Sequence, residues 1–274
     1  MKKQDFLLLT GILVLLILMT GMTPEPVSTP DTPQQYADIN VKETAGLNLQ
    51  RPVTGGIPLA EGAAPSGSRF VLLDKNNKPV PCQNEVLARW KDGSVRWILL
   101  DFQARPQSNG SDHFRLVWDP KAREAQPSSP VKTLQGKITS ASSGAVRLTT
   151  VPGALLRISN RFDVKLVLTD KQGKRCEGVV ESSKIETDGK LRSILLLSGS
   201  FRTPEKQRVV DFRLRASVYA GLSQFYLEPQ ILINADNDML QYINDLNLEF
   251  IPLNTMRSAS IGGTPGWSGS PDRF

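Results

Sequence analysis

The chain has 274 residues, 39% of them hydrophobic and 22% charged, with a formal net charge of +6 and a pI near 9.4. That balance excludes wholesale disorder and leaves enough apolar residues for a core, while the length favours two modest domains over one. Lys and Arg form no dense run, so the basic charge points to an acidic polymer or a solvated surface and excludes nucleic acid as a partner.

The chain opens with Met1, Lys2 and Lys3, then an apolar stretch from Phe6 to Met22 interrupted only by Thr10, Gly11, Thr20 and Gly21. A basic start before such a stretch is what secretion machinery reads. The stretch approaches the roughly 17-residue minimum for crossing a bilayer and lacks both a small-x-small cleavage site and a lipobox cysteine. Residues 1–22 therefore read as a signal peptide or a signal anchor. Either places the body outside the cytoplasm, secreted or periplasmic, with membrane contact only through residues 6–22. Residues 23–38 form a proline-rich linker, TPEPVSTPDTP between Thr23 and Pro33, which cannot hold a helix.

Short strand-like runs separated by turn residues follow, and no long helical period appears. Candidate strands in a first domain, residues 39–120, are Ile39–Leu49, Arg69–Asp74, Val80–Trp90, Val95–Ala104 and His113–Asp119, with Gly55-Gly56-Ile57-Pro58 reading as a loop. Residues 121–136 are a linker, low in large apolar residues where Lys121–Pro130 reads KAREAQPSSP. A second domain, residues 137–255, carries candidate strands Ala145–Val151, Leu155–Asn160, Phe162–Thr169, Leu191–Phe201, Val209–Ala220, Gln224–Asn234 and Met239–Pro252. In the fifth of these, Phe212, Leu214, Ala216 and Val218 face one way and Arg213, Arg215, Ser217 and Tyr219 the other, the period of a half-buried strand. Asp170–Gly173, Asp188-Gly189 and Asn234–Asp238 punctuate the block as hairpin turns. Residues 256–274, rich in Gly, Ser and Pro, read as a flexible tail with Trp267 as a candidate docking residue. The fold class is all-β.

Asp92-Gly93 is the strongest hairpin signal in the chain. A two-residue turn there would set Trp90 and Trp97 on one face as diagonal neighbours in the core, and Arg89 directly opposite Arg96 on the other. Opposed like charges are unfavourable, so an anion is expected beside them: an internal carboxylate, or an anionic ligand for which Arg89 and Arg96 are the candidate binding residues.

Residues in this region carry a resemblance. Gly55-Gly-Ile-Pro-Leu59, Pro79-Val-Pro81, Val86-Leu-Ala-Arg-Trp-Lys-Asp-Gly-Ser-Val-Arg-Trp97 and Leu100-Asp-Phe-Gln103 resemble the N-terminal domain of exo-rhamnogalacturonan lyase-like proteins. Tyr219-Ala-Gly221 and Leu246-Asn-Leu-Glu-Phe250 are similar to the central sandwich of the same family. Lys91 stands where proline is usual. The resemblance implies a small RIFT-type β-barrel followed by an antiparallel β-sandwich. It also implies a catalytic α/α toroid further on, for which this chain supplies no helices.

Removing the proton α to a uronate carboxylate needs a base and a group that neutralises the enolate, and no cluster in the sequence supplies both. His113 is the only histidine and reads as a surface residue, which also excludes a multi-histidine metal site. Gly55-Gly56 and Gly262-Gly263 lack the setting of a phosphate cradle, Asp236 and Asp238 lack the spacing of a calcium loop, and no serine sits in a nucleophile elbow. Cys82 and Cys176 fit either a disulfide or two buried thiols. The expectation is an exported protein with no catalytic residue, metal or cofactor of its own, partnered by acidic polysaccharide or by a separately encoded catalytic domain. The alternative is one part of a split or truncated lyase.

Overall fold

The computed structural model describes residues 36–119, 123–233, 243–256, 259–261 and 267–269. The export segment, most of the proline-rich linker, the Asn234–Asp238 turn and the side chain of Trp267 lie outside the described residues. Every regular element among those described is a strand, and they fall within one compact unit.

The first module contains β1 (Tyr36–Lys42), β2 (Arg51–Pro58), β3 (Phe70–Asp74), β4 (Pro79–Val80), β5 (Cys82–Arg89), β6 (Val95–Ala104) and β7 (Ser111–Trp118). They make two small antiparallel sheets, ordered β1-β7-β3-β4 and β2-β6-β5. Strand alternation explains why the sheets close on each other: Ile98, Leu100, Phe102 and Ala104 of β6 point inward with Phe70, Leu72 and Leu116, and Phe102 meets Phe114 edge-on at 5.0 Å. The intervening residues of β6, Trp97, Leu99, Asp101 and Gln103, make the outer face.

The second module contains β8 (Lys132–Leu134), β9 (Ser140–Ser142), β10 (Arg147–Thr149), β11 (Leu156–Ile158), β12 (Phe162–Asp170), β13 (Arg175–Asp188), β14 (Arg192–Arg202), β15 (Arg208–Tyr219), β16 (Phe225–Leu232) and β17 (Ile243–Pro252). They form a ten-stranded antiparallel sheet ordered β16-β15-β14-β13-β12-β11-β10-β9-β8, with β17 on the other edge of β12. The sheet folds back on itself into two layers. Val131 N donates to Lys190 O at 2.7 Å and Gly221 N to Ser143 O at 3.0 Å, while the Thr139 and Ser183 hydroxyls lie 2.9 Å apart. Between the layers Leu148, Leu156, Leu166, Leu195, Leu214 and Phe212 are fully buried. A separate hairpin pairs β18 (Ala259–Ile261) with β19 (Trp267–Gly269).

The all-β reading and most strand positions hold, and three local expectations are corrected. Gly55 and Gly56 are not a loop but the middle of β2, paired with Leu100 and Leu99; Gly56 is needed there because a Cβ would collide with the indole of Trp97. The longest strand, β13, has no counterpart among the candidates, since its large apolar residues are only Val179, Val180 and Ile185. On β15 the outward set is not uniformly solvated: Arg215 pairs with Glu186, yet Ser217 and Tyr219 are buried because the first module covers that end of the strand.

Phe212 is fully buried and meets Phe201 edge-on at 5.5 Å. Phe212→Ala is therefore expected to lower the unfolding free energy by about 3–5 kcal/mol, read as a lower urea midpoint at unchanged slope.

Candidate functional site

The hairpin between β5 and β6 differs from the two-residue turn expected of Asp92-Gly93. Trp90 N donates to Ser94 O and Gly93 N to Trp90 O, giving a three-residue loop with Gly93 at φ +83°. Asp92 favours this loop by accepting from Ser94 N at 2.9 Å and Ser94 Oγ at 2.6 Å, and those bonds hold its carboxyl below the usual range. The pairing next to the loop shifts accordingly, Arg89 lying opposite Val95, and an irregularity at Arg96 then restores the pairing of Ala88 with Trp97 that a two-residue turn also gives. Arg89 and Arg96 are thus not directly opposed. Arg89 Nη1 donates to Gly93 O at 3.0 Å, and the Arg96 guanidinium sits 4.7 Å above the ring of Trp90, whose Nε1 donates to Leu59 O at 2.9 Å. The two tryptophans also part company. Trp90 tucks in beneath Arg96, whereas Trp97 is 40% exposed on the outer face, so the shared core position expected for it is wrong; the extra residues in the ladder turned it outward.

The outer face of β2-β6-β5 is divided in two. Its lower half is covered by the second module. Asp101 accepts from Thr54 Oγ1 at 2.5 Å and from Arg192 Nη1 at 2.8 Å, with Asp101 and Arg192 side chains only 8% and 15% exposed. Beside them Gln83 Oε1 accepts from the backbone N–H groups of Leu191 and Arg192 at 3.3 and 3.2 Å, and Gln103 Nε2 donates to Ala220 O at 2.9 Å. Gly189 leaves the room Gln83 occupies, since any Cβ there would collide with the amide. The hydroxyl of Tyr219, near this pair, has its pKa pushed up by burial. None of these partnerships is visible in sequence, because Thr54 and Asp101 are 47 positions apart and the contacts between the modules join residues 91 to 117 positions apart.

The upper half of the same face is open. Trp97 lies across Gly56 and opposite Ala88, and Leu87, in the ladder irregularity before Ala88, is 51% exposed. Glu85, opposite Leu99, borders both this face and a cleft of about 480 Å³ whose lining includes Cys82, Gln83, Glu124, Gln126, Asp188 and Lys190. Lys190 Nζ is held by Gln126 Oε1 at 3.2 Å and Asp188 accepts from Thr133 Oγ1 at 2.8 Å. The cleft presents three carboxylates against one lysine, a poor match for a uronate and for the enolate it would form. Among the described residues no group of three or more His, Cys, Asp or Glu side chains is placed to hold a metal. What the surface offers is an exposed aromatic beside amides and carboxylates, which suits a hydroxylated, uncharged ring: apolar C–H against indole, hydroxyls to the polar rim.

His113 is exposed on β7 opposite Asn40, away from the cleft. Cys82 and Cys176 are both free thiols. Burial, with the charge of Glu124 adding to it, pushes Cys82 up to about 11.

Two small sheets around one core, followed by a large antiparallel sheet, define an all-β protein with a barrel-like front module. Residues 39–115 match the family described as the PcRGLX-like N-terminal RIFT barrel domain. The chain is also similar to the uncharacterized protein YetA of Bacillus subtilis strain 168, at 25% identity over 217 residues, which is 72% of this chain. It spans about a quarter of YetA's length, the aligned share being 25%. The matched family residues run from β1 into β7, so they take in the whole β2-β6-β5 face and Asp101, and the YetA alignment is long enough to extend beyond them.

Removing one partner of the Asp101–Arg192 pair leaves a buried charge uncompensated. Asp101→Ala is expected to destabilise by about 3–5 kcal/mol in urea unfolding, while Asp101→Leu combined with Arg192→Met recovers most of the loss. Alkylation of Cys82 should keep accelerating as pH rises and level off only near its pKa of about 11, because the thiolate alone reacts; a plateau near pH 9, followed by mass spectrometry of the labelled peptide, would show an ordinary thiol.

Proposed function

We propose that this chain is an exported, non-catalytic β-protein that contacts polysaccharide or scaffolds a catalytic partner, and the surface favours the first. The observation that carries the reading is the open half of the β2-β6-β5 face, where exposed Trp97 shares the outer face with Glu85, a residue that lines a polar cleft at the junction of the two modules. The match of this module to the front domain of the PcRGLX-like family supports the same setting. The glycan segment on Trp97 is uncharged, since Glu85, Glu124 and Asp188 repel uronates. Acidic units of the same polymer would lie towards Arg89 and Arg96, both exposed. The basic start and apolar stretch of residues 1–22 support export.

A second reading is one part of a split or truncated lyase, supported by the match of residues 39–115 to the PcRGLX-like N-terminal domain. Incubating the purified chain with rhamnogalacturonan and following ultraviolet absorbance of the unsaturated product separates the two. No turnover is expected from this chain alone; turnover would defeat the non-catalytic reading. Binding is read by quenching of tryptophan fluorescence on titration with neutral galactan or arabinan and with polygalacturonate. Trp97→Ala should weaken neutral-glycan binding about tenfold or more, whereas Arg89→Ala with Arg96→Ala should affect only the acidic polymer. Unchanged neutral-glycan affinity in folded Trp97→Ala would remove Trp97 from the site.

A further inference from the structure

We infer that the free edge of β17 pairs with β17 of a second copy of this chain, joining two large sheets into one across a two-fold axis. This goes beyond the glycan reading and does not depend on it.

β17 pairs with β12 along one edge, and its other edge has no partner strand among the described residues. A ten-residue unpaired edge is a template for strand addition, and proteins that remain monomeric usually blunt such edges. The contrasting edge is β16, where Pro229 sits mid-strand opposite Leu214 and withholds a ladder donor. β17 has its one proline at its last residue, Pro252.

The side chains of β17 point the same way. Leu246, Leu248 and Phe250 lie opposite Leu168, Leu166 and Val164, all three of which are core residues. This row therefore continues the core face to the rim of the sheet. Yet Leu246 is 40% and Phe250 46% exposed, because the covering layer stops short of them.

Charge selects both the occupant and its register. Antiparallel pairing centred on Leu248 sets Leu246 opposite Phe250 of the second copy, Asp245 opposite Ile251, and Asn247 opposite Glu249. No carboxylates oppose one another, and Glu249 is already held by Arg175 at 2.7 and 2.8 Å. Registers that keep the apolar rows on one face differ by two residues at each strand. Sliding one way opposes Asp245 to Glu249; sliding the other opposes Glu249 to itself. Both neighbours carry a like-charge penalty that the central register avoids.

Disulfide trapping on the full chain tests this. In Leu248→Cys the two introduced thiols meet on the axis, whereas in Asn244→Cys they lie eight residues apart along the strands, roughly 27 Å. Under mild oxidation Leu248→Cys should form an intermolecular disulfide at least about tenfold faster than either Asn244→Cys or the parent chain with its own Cys82 and Cys176. Adding Phe250→Lys to Leu248→Cys should abolish the link with an unchanged circular dichroism spectrum. Mixing Asn247→Cys with Glu249→Cys chains reads the same register should Leu248→Cys fail to fold. Equal linking at positions 244 and 248, or no link in either design, would overturn the proposal.

Discussion

The arrangement of this molecule turns on the Asp101–Arg192 ion pair. A buried pair adds little net stability, because desolvating both charges offsets most of their attraction. Its contribution is geometric. Asp101 is the outward residue between inward Leu100 and Phe102, and Arg192 is the first residue of β14, so the pair fixes one position on the front sheet against one corner of the large sheet. Thr54, Gln83 and Gln103 surround it with bonds that tolerate no slippage. That register makes the cleft, since its walls come from β5 on one side and the β13–β14 turn on the other.

Glycine placement serves the same end. Gly56 allows Trp97 to lie down on β2, and Gly189 allows Gln83 to reach the second module. Each removes a side chain where two elements must approach closely, and each sits at a point the proposed function uses. Covering half of one sheet face with another module and leaving the other half open also yields a surface with one buried polar end and one exposed aromatic end.

The two long edges of the large sheet are managed differently. Pro229 and the neighbouring Glu228 keep β16 from extending. β17 has no partner strand on its other edge among the described residues, and its row of Leu246, Leu248 and Phe250 continues the core face outward.

Much of the fold was legible in the sequence, because strand alternation is local. Val95–Ala104 matches β6 residue for residue, and the inward set of β15 follows from period two. β13 was hidden because its polar run has no apolar face of its own; it is a strand because β14 lies beside it along ten paired positions. The Asp92-Gly93 hairpin was located, but its loop length was not, since Ser94 and Asp92 decided between two turn geometries with the same sequence signature. By that one-residue difference Arg89 lost its place opposite Arg96, and the ladder irregularity that follows leaves Trp97 opposite Ala88 in the outward row of β6. The sequence by itself determined the strand content, the inward faces and the resemblance of the front module, all properties of neighbouring residues. Only the tertiary structure decided which outward residues are buried and which are presented, because that depends on where a second module lands, set by contacts between residues about a hundred positions apart.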